Sequence, residues 1–156
     1  MGAETHYRRI KIAAISWDRK GAMADRSALL FGAWTLGLVS TTVLYRVLRS
    51  LLLREEKLNA WPRGTPNPRD AGIIRRITDA HANCLESLPV FLAIIVSAHV
   101  SNKVSLIDQL ATYVFPLRVL QTLCHLSGTG QLNVFLRANF FLGQVLLFAL
   151  MIWKLL

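Results

Sequence analysis

Acidic residues are scarce in this chain. Its 156 residues hold nine Asp and Glu against 18 Lys and Arg, and only 17% are charged. An ordinary soluble domain is about 25% charged and about 45–50% apolar. Here 53% is hydrophobic and the mean hydropathy is +0.40, which argues against a soluble globular domain. Cysteine is nearly absent. Cys84 and Cys124 both fall in apolar runs, so they read as free, small apolar residues rather than a disulfide framework. There is no internal repeat and no low-complexity tract. The apolar stretch "IKIAAISW" is too short and too poorly flanked to be a signal peptide.

What the chain does have is four long apolar runs, at 28–53, 85–100, 106–126 and 132–156. Each is near the roughly 20 residues that span a bilayer. Any one of them could be a buried core helix; four in succession in so short a chain point to a membrane protein. They leave no room for a soluble domain. The expected organisation is a polar N-terminal tail over 1–26 and a four-helix transmembrane domain over 27–156. Helix 1 is expected from about Ser27 to Leu53, with Asp25 or Ser27 as its N-cap. The stretch "REEKLNAWPRGTPNPRDAG" holds three prolines and two glycines and reads as a loop. Helix 2 is expected from Ile73 to Val100, helix 3 from Val104 to Leu126, and helix 4 from Gln131 to Leu156. The turns "SNK" and "SGTGQ" between them are short, so the fold class is an all-α, up-down, integral membrane four-helix bundle.

The excess of basic residues follows topology rather than nucleic acid. Loop 54–76 carries Arg54, Lys57, Arg63, Arg69, Arg75 and Arg76; the second loop has only Lys103 and the third has none. Positive-inside bias places the first loop in the cytoplasm and, with four spans, both termini outside. The tail opposes this with Arg8, Arg9, Lys11, Arg19, Lys20 and Arg26. A working start at Met23, in "MADRSALL", would remove most of that conflict.

Polar residues inside the apolar runs carry the functional signal. Asn83 and Glu86 are three apart and share a helix face. Arg118, Gln121 and His125 stand at i, i+3 and i+7, again one face. Arg137 lies two turns into helix 4, with Gln144 seven residues on. A charge at mid-bilayer costs about 2.5–3.5 kcal/mol on insertion scales, so such groups pair, face a wet cavity or snorkel. Arg46, Arg49 and Arg54 are near enough to the end of helix 1 to snorkel. Arg118 and Arg137 are deeper. Asn83, Glu86, Arg118 and Arg137 are therefore expected to converge on one inter-helix cavity near the first-loop side. With more arginine than carboxylate there, the cavity suits an anionic ligand. A polar network that only holds the helices together is the plainer reading of the same residues. Pro89, one turn after Glu86, has no N–H to give the Leu85 carbonyl. His81, His99, His125, Cys84 and Cys124 lie on different helices with no tight ligand spacing, so no metal site is expected. A Ser-His-Asp arrangement has no motif context.

The stretch "RITDAHANCLESLPVFL" resembles the second-helix signature of the MAPEG family, the membrane-associated proteins of eicosanoid and glutathione metabolism. The matching residues are Ala80, His81, Asn83, Glu86, Pro89, Phe91 and Leu92. "RVLQTLCHLSGTGQLNVFLRANFFLGQ" is similar to the family's third and fourth helices. The resemblance covers roughly residues 27–156.

It implies a homotrimer of four-helix subunits, embedded in a membrane, here that of a bacterial inner membrane. Glutathione would bind as cosubstrate, and a lipophilic small molecule would enter from the bilayer. On this reading the protein is a glutathione-dependent transferase or peroxidase acting on a lipophilic electrophile or hydroperoxide. Asn83, Glu86, Arg118, His125 and Arg76 would contact glutathione, and Arg137 would be the catalytic cation beside its thiol. The alternative is a non-catalytic binding or scaffold protein on the same fold. The chain departs from the family's enzymes at several positions. Asp79 and Ala82 stand where those enzymes often carry arginine. His125 stands at a tyrosine position. Ala138 follows Arg137, so no serine hydroxyl is available there.

Overall fold

Apolar runs separated by proline- and glycine-marked breaks fold into four helices. The computed structural model describes residues 21–52, 54 and 70–156. The helices are α1 (Ala22–Leu51), α2 (Gly72–Val100), α3 (Asp108–Ser127) and α4 (Gln131–Leu155), with a short 3-10 turn at Val104–Leu106 before α3. All regular structure among the described residues is helical. Tail residues Arg8, Arg9, Lys11, Arg19 and Lys20, and loop residues Lys57, Arg63 and Arg69, lie outside the described residues.

The helix boundaries follow the sequence closely except at two places. Helix α1 begins at Ala22, five residues before Ser27, and its N-cap is Gly21 rather than Asp25 or Ser27. Gly21 has φ 95, and a Cβ there would lie 2.5 Å from a Val104 methyl. Glycine is the residue that tolerates both the left-handed backbone and so close an approach. The side chains of the expected caps are used elsewhere. Asp25 Oδ1 lies 2.8 Å from His99 Nε2, and Ser27 Oγ donates to the Ala111 carbonyl at 2.7 Å. The second difference is helix 3, which starts at Asp108 instead of Val104. Asn102 takes φ 56, a conformation asparagine tolerates, and the chain makes one 3-10 turn before the α-helix proper.

Three helices, α1, α2 and α4, are long and apolar enough to cross a membrane. Helix α3 is the most polar of the four expected spans, as its face of Arg118, Gln121 and His125 implied. Its 20 residues include Arg118, Gln121, Thr122 and His125, all buried. A helix can carry that much polarity in a bilayer when its neighbours enclose it. Helix α3 packs chiefly on α4 and α1, while α1 packs on both α2 and α3. Helices α2 and α4 touch each other least of these pairs, which leaves a seam between them. The outer surface is apolar, with Leu29, Leu36, Leu44, Val96, Leu142 and Leu146 all more than half exposed, as a lipid-facing surface should be. The chain is an integral membrane helical bundle.

Aromatic contacts tie three helices at mid-height. Phe91 of α2 lies between Phe31 of α1 (centroids 6.2 Å apart) and Phe148 of α4 (5.8 Å, stacked). Polar ties close one end of the bundle. Besides Asp25 and His99, Asp108 Oδ1 accepts from the Ala24 N–H at 2.8 Å, and Lys103 Nζ donates to the Leu155 carbonyl at 2.6 Å. Helices α2 and α3 run on through Pro89 and Pro116.

Candidate functional site

The other end of the bundle, where α2 begins and α3 turns into α4, is open. A cavity of about 530 Å³ lies there between α2, α3 and α4, a size typical of small-molecule sites. Helix α2 contributes Arg76, Asp79, Asn83 and Glu86, spaced i, i+3, i+7 and i+10, so one face of the helix supplies all four. Helix α3 contributes Gln121 and His125. The α3–α4 turn adds Gly128 and Thr129, and α4 adds Arg137, Ala138 and Phe141.

The side chains in this cavity hold one another. Arg137 Nη1 lies 2.9 Å from His125 Nδ1. A guanidinium only donates, so Nδ1 accepts and the ring proton sits on Nε2. That nitrogen faces the Asp79 carboxylate at 3.8 Å. Arg76 Nε donates to the Leu126 carbonyl at 3.0 Å, which anchors it to the last turn of α3 and satisfies a helix-end acceptor. Gln144 Nε2 reaches Gln121 Oε1 at 3.3 Å, so the deeper glutamine of α4 braces the α3 wall. The cavity thus has two cations, two carboxylates, a neutral imidazole and two amides. It is balanced rather than cationic, contrary to the sequence expectation.

The expected convergence is met by Asn83, Glu86 and Arg137, and the expected contacts Arg76 and His125 join them on the lining. Arg118 does not. It is 1% exposed and lies behind the wall, in the bundle core. Its guanidinium stacks 5.1 Å above the Phe31 ring and donates to Ser87 Oγ. Arg118 does share a face with Gln121 and His125, but it is one turn deeper, where α1 and α2 close over it. Glu86 faces the cavity and is not turned away from the other site residues.

A second, apolar space of about 350 Å³ lies beside the cavity along the α2/α4 seam, and the two share Glu86 and Phe141 as walls. Val90, Phe141, Val145, Phe148, Ala149 and Ile152 line it, with Glu86 and Ser87 at its polar end.

The comparisons with known proteins agree with this picture. A model of the MAPEG family, as that family is described, matches residues 27–156. The chain belongs to the MAPEG family. Neither the curated proteins nor the solved structures contain a match to it. MAPEG proteins are membrane proteins associated in general with glutathione-linked chemistry, and a helical membrane bundle is what this chain builds. Two lining residues, Asp79 and Gln121, were not among the site residues expected from the sequence. Asp79 was legible by spacing, four residues before Asn83, but it read as a lost arginine. Gln121 was visible on the Arg118–His125 face, although nothing local tells an inward amide from a ligand contact.

Proposed function

We propose that the protein is a membrane-embedded, glutathione-dependent transferase or peroxidase. The observation that carries the proposal is the gathering of Arg76, Asn83, Glu86, His125 and Arg137 around one cavity that lies beside an apolar seam. Glutathione carries two carboxylates, one ammonium and a thiol. Arg76 suits a carboxylate, bound bidentately. Glu86 suits the ammonium, and Asn83 and Gln121 suit the peptide amides. Arg137 then stands by the sulfur, where a cation stabilises thiolate. Arg118 acts on the wall through Ser87 rather than on the ligand. The apolar seam below Phe141 receives the lipophilic electrophile or hydroperoxide from the bilayer. Its reacting atom meets the thiolate at the junction of the two spaces.

Further expectations belong to the same reading. The basic loop 54–76 faces the cytoplasm of a bacterial inner membrane, so glutathione enters from the side where it is made. The assembly is a homotrimer, as the resemblance to the family implies.

One observation favours a non-catalytic binding protein instead. Ala138 lines the cavity beside Arg137 and offers no hydroxyl. Conjugation of glutathione to a generic aryl halide by the purified protein separates the two readings. Turnover above the uncatalysed rate, reduced about 100- to 1,000-fold by Arg137→Leu, is expected if Arg137 stabilises developing negative charge. Glutathione binding with no conjugation and no hydroperoxide reduction would support the binding protein.

A further inference from the structure

The mechanism above leaves two lining residues without a task in the chemistry. His125 is buried, and the Asp79 side chain is 68% exposed. One hydrogen bond and one charge contact link them to Arg137: Arg137 Nη1–H donates to His125 Nδ1 at 2.9 Å, and His125 Nε2–H faces Asp79 Oδ2 across 3.8 Å, beyond hydrogen-bond length but close enough for the carboxylate to favour an imidazolium. Three helices supply one member each. Such an arrangement holds an imidazole in a single tautomer with its basic nitrogen beside a cation that can turn elsewhere. A carboxylate waits on the far side.

We propose that His125 takes the proton of the thiol bound in this cavity and that Asp79 is its positioning residue. The inference rests on the reading of the cavity as a glutathione site. In the step, the Arg137 N–H leaves Nδ1 as the thiol arrives. The S–H bond breaks, its electron pair stays on sulfur, and the proton forms a new bond to Nδ1. The thiolate left behind is held by the Arg137 guanidinium. The imidazolium turns its Nε2–H toward the Asp79 carboxylate 3.8 Å away, whose negative charge stabilises the charge it has gained. After sulfur has bonded to the second substrate, the proton passes to the departing group or to water. The electron count balances with no oxidant or metal. His125 thereby becomes a catalytic residue in its own right. Arg137 alone offers a thiol no proton acceptor. The charged groups facing His125 are Arg76, Asp79 and Glu86 from α2 and Arg137 from α4; α3 itself adds only neutral Gln121 to the cavity, and the turn adds Gly128 and Thr129.

The test reads the ultraviolet absorbance of thiolate at saturating glutathione, across pH, in the detergent-purified full chain. His125→Gln keeps an acceptor for Arg137 and removes the base. Asp79→Asn alters an exposed group and leaves the core intact, so it remains informative if the histidine variant folds poorly. A nearby opposite charge is worth about 1–3 pH units to a titrating group. The expected result is a thiolate midpoint about one unit higher in His125→Gln. Asp79→Asn shifts it the same way by less, and Asp79→Glu restores it. Equal midpoints in wild type and both variants, with glutathione bound in all, would overturn the relay and leave the glutathione site standing. No glutathione binding by the wild type would overturn both.

Discussion

Arg118 is the most deeply buried charged side chain among the described residues. Its side chain is closed off from water and lipid, its Nε has no hydrogen-bond partner, and its compensation comes from Ser87 and the Phe31 ring. Replacing a buried charge by an apolar side chain of similar length is often neutral or stabilising. Ser87 would not be stranded, because its hydroxyl also donates to the Asn83 carbonyl at 3.0 Å. Arg118→Met is therefore expected to unfold in detergent at the same temperature as wild type or a few degrees above. A clear fall in the melting temperature would show that the guanidinium holds the bundle together. Residue-scale reading of the sequence worked where spacing alone decides the outcome. Asn83 and Glu86, three apart, face the same cavity, and Arg76 falls on that face too. It failed at Arg118 because helical spacing gives a face but not a depth. The helices that cover a given turn are set by packing of α1 and α2, which lie far away in sequence.

The start of α1 shows the same limit at the scale of an element. The tail read as polar up to Arg26 because Asp25 and Arg26 interrupt the apolar pattern. The helix nonetheless begins at Ala22, since Asp108, 84 residues away, accepts from the Ala24 N–H. One of the first-turn donors that a helix leaves unpaired is thereby satisfied from outside the helix. No local signal announces such a cap. Loss of a capping acceptor costs about 1 kcal/mol. Asp108→Ala is expected to destabilise the protein by about that amount and to speed amide exchange in the first turn of α1, while leaving the far end of the bundle protected. Uniform exchange along α1, unchanged from wild type, would mean the contact contributes nothing. The starts of α2 and α4, by contrast, were legible, because proline and glycine stand just before them. The failure of α3 to match the other spans in apolarity was visible as a polar face, yet that face also reads as a membrane helix with a wet side.

At the scale of the whole molecule, the four helices are tied tightly at one end and open at the other. Asp25, His99, Asp108, Lys103 and the end of α4 close the first end, whereas the polar cavity and the α2/α4 seam open the second. A polar chamber beside an apolar furrow, sharing Glu86 and Phe141, is the arrangement on which the proposed meeting of a water-soluble thiol and a bilayer-dissolved partner rests. The fold class and the family were legible from four apolar runs and one motif. The balance of charge in the cavity was not, because Asp79 enters it and Arg118 leaves it. The central claim is that this chamber binds glutathione through Glu86 and its neighbours. The most direct measurement is calorimetric titration of glutathione into the detergent-purified protein, wild type beside Glu86→Gln. The expected result is saturable binding in the wild type that Glu86→Gln weakens by about tenfold or more with the fold intact, as loss of a charge-assisted hydrogen bond of about 1.5–3 kcal/mol implies. No heat of binding at millimolar glutathione, or equal affinity in both proteins, would contradict it.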